Sequence, residues 1–239
     1  AANALNRQLA LDLLAAAIKC DEDAEVRCVL ITGAGSMFCA GGDLKSFADQ
    51  GDGLPAHVKE VTAYLHAAIS RLVWMDAPVV AAVNGPAGGA GLSLVCATDL
   101  AIAAESAKFV MAYTRAGLAP DGSSTYFLSK LIGMRRAKEL ALTNRVLSAA
   151  EALEWGLINR VVPDAELAAA AGELAISLAE GATLALGEAK RLIQQGFTET
   201  LESQMERETR AIADMARTED AREGIAAFIA KRKPDFKGR

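Results

Sequence analysis

Long apolar runs are missing from this 239-residue sequence. None reaches the roughly 18–20 residues that a bilayer span requires, so no membrane partner is expected. Cysteine and histidine are scarce. Cys20, Cys28, Cys39 and Cys96 form no C-x-x-C pair, and only His57 and His66 could join them. That spacing fits neither a zinc site nor a disulfide framework, and no metal is expected. Basic residues are in deficit: Lys+Arg 25 against Asp+Glu 30 leaves a net charge of −5. Aromatics make up only 5% of the chain and do not interleave with a Lys/Arg stripe, so no nucleic-acid partner is expected. No basic segment followed by an apolar core opens the sequence, and cytoplasmic residence is the expectation.

Nucleotide and nucleophile signatures are missing too. G-x-G-x-x-G fails twice, because Phe38 follows Gly33/Gly35 and Leu94 follows Gly89/Gly91 where the third glycine belongs. There is no P-loop. Ser93 has Gly91 before it but Val95 after it, so it is not a nucleophile elbow.

What is present is globular: 52% hydrophobic and 23% charged residues, in a chain long enough to bury roughly 70–75% of its unfolded surface. Leu5, Leu9, Leu13, Leu14 and Ile18 recur at helical spacing, and the acidic stretch Asp21–Glu25 ends that helix. Val26–Thr32 is a β-rich run stopped by Gly33-Ala34-Gly35-Ser36. Ser46–Pro55 reads as a mobile surface loop, followed by a helix from about Ala56 to Met75. Strands are expected at Val79–Val83, Leu100–Ala103 and Phe109–Met111, then mostly helix from Ser123, with Val161–Pro163 a brief extended interruption. Trp74 and Trp155 read as core anchors. Strand–loop–helix units first and helices later imply an α/β or α+β fold with a C-terminal helical layer. The Leu201, Met205, Ile212, Ile225 and Phe228 stripe exceeds what a lone domain hides, so a subunit interface is expected there.

Two glycine/alanine turns each follow a strand: Phe38–Leu44 and Asn84–Gly91. Small residues let a ligand approach the backbone and leave N–H groups free to point at it. If the turns converge, two N–H donors can hold one carbonyl oxygen as negative charge builds on it. Either turn alone is equally an ordinary tight turn.

Phe38-Cys39-Ala40-Gly41-Gly42-Asp43-Leu44 resembles the F-x-A-G-x-D-L turn of the crotonase (enoyl-CoA hydratase/isomerase) superfamily. Ala82–Leu92 (AVNGPAGGAGL) resembles that family's A-x-N-G-x-A-x-G-G-G segment. The likeness continues through Asp99–Ala103, Ala107–Phe109, Gly117–Pro120, Glu151–Ile158 and Phe228–Pro234. It begins inside the family's N-A-L segment at Asn3-Ala4-Leu5, and the family's first strand has no counterpart in this sequence.

The resemblance implies an α/β crotonase-like spiral of ββα units over residues 1–162 and C-terminal trimerisation helices over 163–239, assembled as a homotrimer or a dimer of trimers. The implied substrate is an acyl-coenzyme A thioester; coenzyme A is then part of the substrate and no separate cofactor is implied. Carried over by position, Ala40 and Ala90 supply the oxyanion-hole N–H groups. Gly89, Asp43 and Leu44 bind substrate, the last two on the adenine side. Phe228 and Lys231 reach a neighbouring subunit's coenzyme A.

Hydratases of the family use two glutamates to activate one water. Ser93 and Tyr113 stand at those places, and neither is a general base near neutrality. Hydratase chemistry is therefore disfavoured. Asp121 falls where the family's enoyl-CoA and ring-opened phenylacetyl-CoA isomerases carry an acid; a helix cap is its plain alternative. One base suffices for a double-bond shift. It removes the α-proton of a β,γ-unsaturated thioester and returns it at Cγ, while the amides hold the dienolate. The family's hydrolytic 4-chlorobenzoyl-CoA dehalogenases use an Asp at this place as nucleophile and a His as base. His66, 55 residues before Asp121, matches that pair, although Tyr113 stands where those enzymes carry Trp. A core or pocket-lining histidine is the plain alternative for His66. Arg222–Phe236 resembles the phenylacetyl-CoA-pathway isomerases, which puts isomerase first, dehalogenase second and a non-catalytic acyl-CoA binder third. Phe47, Tyr64, Tyr113 and Phe127 are expected to line the acyl pocket, and Cys39 to be structural.

Overall fold

The computed structural model describes residues 2–239. Helix α1 (Arg7–Glu22) starts where the Asn6 side chain accepts the Leu9 N–H, satisfying one of the first-turn donors. Strand β1 (Val29–Thr32) is shorter than the apolar run suggests. Arg27, just before it, donates to the carbonyls of Gly181 and Phe236 and so ties the C-terminal segment to the sheet.

The expected loop at Ser46–Pro55 is helical instead. Asp43 accepts the Ser46 N–H and caps α2 (Leu44–Ala48). A 3-10 turn at Gly51–Gly53 then leads into α3 (Leu54–Trp74), with Pro55 in its first turn. Aspartate at a cap and proline at a helix start are as common as either in a loop.

Then follow β2 (Val79–Val83), β3 (Ala87–Gly88) and α4 (Ala90–Ala97). Next come β4 (Leu100–Ala104), β5 (Lys108–Val110), α5 (Ser124–Ile132) and α6 (Met134–Thr143). Strand β6 (Leu147–Ser148), α7 (Ala149–Glu154) and β7 (Arg160–Val162) close the sheet region. The rest is helical: α8 (Leu167–Ala179), α9 (Thr183–Gly196), α10 (Leu201–Met215) and α11 (Glu219–Ile229).

Successive strands are dealt between two sheets. One is parallel in the order β1-β2-β4-β7; the other is β3-β5-β6, with β3 parallel and β6 antiparallel to β5. Strand β2 is buried along its whole length, as a central parallel strand covered on both faces must be. Phe109, Leu92, Leu128, Leu140 and Leu147 fill the core around it.

Of the two tryptophans, only Trp155 packs against that core. Trp74 is exposed at the end of α3, and Trp155 is a half-buried platform for the guanidinium groups of Arg136 and Arg145, at 4.8 and 4.9 Å. Among the described residues, no single helix is long and apolar enough to cross a membrane.

Candidate active site

The two glycine-rich turns are zipped together through their backbones. Phe38 and Cys39 donate their N–H groups to the Pro86 carbonyl, and the Gly88 N–H donates to Cys39 at 2.9 Å. A Cβ on Gly91 would lie 2.5 Å from the Cys39 carbonyl oxygen, and one on Gly41 (φ +99°) would lie 2.9 Å from that of Gly88. Only glycine permits this approach. The Asn84 amide braces the arrangement, donating to the Gly33 and Gly35 carbonyls at 3.0 and 2.8 Å.

The amide expected from the first turn is not the free one. The Ala40 N–H donates to the Ala2 carbonyl at 3.1 Å and so is not available to a ligand. Leu5 bridges the turn, donating to the Gly41 carbonyl at 2.7 Å and accepting the Asp43 N–H at 2.9 Å. Gly42, between those two contacts, points its own N–H the other way. Among the described residues neither the Gly42 nor the Ala90 N–H has an acceptor, and both residues line the same cavity. Ala90 opens α4, so its N–H also lies at the positive end of that helix.

The cavity holds about 290 Å³ and is walled mostly by apolar side chains, among them Leu5, Leu44, Phe47, Val58, Val61 and Leu118. Asp121 and Tyr113 are the ionisable residues in its wall. Asp121 does not cap α5. Its main-chain oxygen accepts from Ser124 Oγ at 2.8 Å and the Ser124 N–H at 3.2 Å, with Ser93 Oγ 3.0 Å away, and Gly122 and Ser123 follow in left-handed conformations. The carboxylate, three-quarters buried, is thereby turned toward the cavity. Tyr113 places its hydroxyl 2.8 Å from Ser93 Oγ. Burial first, then the Asp121 charge, pushes the Tyr113 phenol well above its ordinary range, so it stays protonated.

His66 is not a core residue. It projects half-exposed from α3, with Nε2 at 3.7 Å from Asp121 Oδ2. That nitrogen accepts the Gly122 N–H at 3.1 Å. His66 lines a separate groove of about 460 Å³ with Trp74, Tyr126 and Phe127 rather than the apolar cavity.

Phe47 and Tyr113 line the cavity as expected, whereas Phe127 lines the His66 groove. Tyr64 donates to Glu60 at 3.2 Å and is not in the cavity wall. Leu44 and Gly89 line the cavity; Asp43 does not, because its carboxylate is committed to the α2 cap. Phe228 and Lys231 are exposed on and just after α11, outside the cavity wall. The Cys39 thiol is buried and its pKa raised by that burial, as suits a structural role. Among the described residues, no cluster of three His, Cys, Asp or Glu side chains could hold a metal.

Two strands followed by a helix, repeated, with one unpaired amide in the turn before α2 and another at the start of α4, define a crotonase fold. The chain belongs to the enoyl-CoA hydratase/isomerase family, whose model matches residues 1–239. It is 41% identical to 1,2-epoxyphenylacetyl-CoA isomerase of Escherichia coli (strain K12), covering 99% of this chain and 91% of that protein. It is 38% identical to 4-chlorobenzoyl coenzyme A dehalogenase-2 of Arthrobacter sp, covering 96% and 83%. An enoyl-CoA hydratase from Polaromonas sp. JS666 superposes with a TM-score of 0.94 at 33% identity, covering 99% and 92%.

Proposed function

We propose that this protein isomerises an unsaturated acyl-CoA. The Gly42 and Ala90 amides polarise the thioester oxygen, and Asp121 moves the proton. One observation carries the reading: among the described residues, Asp121 is the sole carboxylate in the wall of the cavity that also presents two unpaired amides. A lone carboxylate removes the α-proton and returns it at Cγ, whereas hydration needs a second acid–base group. Ser93 and Tyr113 supply none. Among the described residues, the wall contains no Lys, Arg or His, which favours an uncharged acyl group over a dicarboxylic one. Likeness to 1,2-epoxyphenylacetyl-CoA isomerase, whose named acyl group is uncharged, points the same way.

A hydrolytic dehalogenase is the second reading, favoured by the His66–Asp121 separation of 3.7 Å and by the dehalogenase relative. Against it, the His66 Nε2 lone pair is already taken by the Gly122 N–H, and the ring faces the neighbouring groove. Offering a 3-enoyl-CoA and 4-chlorobenzoyl-CoA in parallel separates the two. Conversion of the former to the 2-enoyl thioester is expected. Chloride release dependent on both Asp121 and His66 would overturn the isomerase reading.

We further propose that residues 163–239 are the assembly region of a homotrimer or dimer of trimers, with Phe228 and Lys231 set toward a neighbouring subunit's coenzyme A. Ile212, Ile225 and Phe228, all exposed on α10 and α11, support this.

A further inference from the structure

We infer that Ser93 and Tyr113 are positioning residues for the thioester oxygen, a hydroxyl relay that strengthens the Ala90 N–H through the Gly89–Ala90 peptide. The inference rests on the reading of Ala90 as an oxyanion donor and adds to it the groups that tune that donor.

Ser93 is fully buried in α4, one helical turn beyond Gly89. Its Oγ lies 3.2 Å from the Gly89 carbonyl, 3.0 Å from the Asp121 carbonyl and 2.8 Å from Tyr113 Oη. The serine has one hydroxyl proton to give. The Asp121 oxygen already accepts the Ser124 N–H at 3.2 Å and Ser124 Oγ at 2.8 Å, which fills both of its lone pairs. The Gly89 oxygen accepts only the Ser93 N–H, at 3.0 Å. The Ser93 proton is thereby left for Gly89, and in the 2.8 Å contact with Tyr113, where either hydroxyl can donate, that assignment makes Tyr113 the donor; Tyr113 Oη also lies 3.5 Å from the Asp121 carbonyl.

Gly89 C=O and Ala90 N–H belong to one peptide unit. Each bond accepted by that oxygen draws electron density from the nitrogen and makes the N–H a stronger donor, and bonds in series reinforce one another. Tyr113 is buried and protonated, so it holds its place in the relay across neutral pH. The pair also fixes geometry: a Cβ on Gly122 would sit 2.9 Å from Ser93 Cβ, so the segment carrying Asp121 is packed directly on the serine. One hydroxyl thus touches the peptide of the oxyanion donor and the backbone of the base.

The test is the carbonyl stretch of bound cinnamoyl-CoA, isotope-edited at the thioester carbon, measured with the full-length protein. In wild type the band is expected to shift down relative to free ligand. Ser93→Ala and Tyr113→Phe should each shrink that shift by about 10–30%. Each should also lower kcat about three- to tenfold while changing KM less than about twofold, because the donor acts chiefly in the transition state. Ser93→Cys, which keeps a weak donor, should recover part of the shift. Tyr113→Phe leaves α4 unaltered and serves if Ser93→Ala misfolds. A full wild-type shift in both variants overturns the relay alone, even if kcat falls. No shift in wild type overturns the oxyanion assignment and the relay with it.

Discussion

Ala40 and Gly42 sit two positions apart in one turn, and the N-terminal segment decides which amide meets a ligand. Leu5 engages the Gly41 oxygen and the Asp43 N–H, so the amide between them faces the opposite side, as alternation in an extended backbone requires. The F-x-A-G-x-D-L pattern carries the turn but not its partner, which is why the sequence leads to Ala40. Gly91 shows how little space the arrangement allows. A methyl there would lie 2.5 Å from the Cys39 oxygen and 2.8 Å from its Cβ, both rigidly held. Gly91→Ala is expected to destabilise the protein by about 2–3 kcal/mol. Gly172→Ala, in α8 with nothing within 4 Å, should leave the melting temperature unchanged or slightly raised. Thermal unfolding of the two variants checks this; an unperturbed Gly91→Ala would contradict the close contact of the turns.

Element by element, the site is a meeting of helix starts. Helix α4 presents Ala90, the left-handed Gly122–Ser123 step before α5 turns Asp121 inward, and α3 supplies both the Val58–Val61 wall and His66. Helix α7 offers a pH-dependent test of such starts. Ser148 and Glu151 form a capping box. The Ser148 N–H foremost, then its hydroxyl and Arg145, holds the Glu151 carboxyl down to about 2. A carboxyl depressed in the folded state stabilises above its unfolded pKa, near 4.5, and that contribution is lost as pH falls through about 2. Glu151→Gln should therefore melt below wild type at about pH 6, with the gap closing at about pH 2. A gap independent of pH would contradict the cap. Strand β6, two residues long, carried no sequence signal, because its pairing with β5 and not its composition defines it. The aspartates and glycines of 46–55 suggested a loop because those residue types cap helices as readily as they make turns.

Across the whole molecule, the order of motifs was legible and their convergence was only inferable. The spiral architecture and the pairing of Asp121 with His66 were implied by the family resemblance of the motifs, whereas the side each group faces depends on packing. His66 illustrates this: the resemblance pairs it with Asp121, which lies 3.7 Å away, yet its ring opens into a different cavity. The C-terminal helices expose Ile212, Ile225 and, at 85%, Phe228, the kind of apolar surface that marks a contact face. On the proposed assembly, sedimentation velocity should give wild type a mass of three or six subunits, and Ile212→Glu with Phe228→Glu should lower it to one. An unchanged mass would place the interface elsewhere.

In the proposed mechanism, one carboxylate shuttles a proton beside a thioester held by two amides. Incubation with a 3-enoyl-CoA in deuterated water, read by mass spectrometry, tests it most directly. Wild type should incorporate deuterium next to the thioester, and Asp121→Asn should slow that exchange by about 10²–10⁴-fold while binding coenzyme A thioesters as before. Exchange at the wild-type rate in Asp121→Asn would contradict the account.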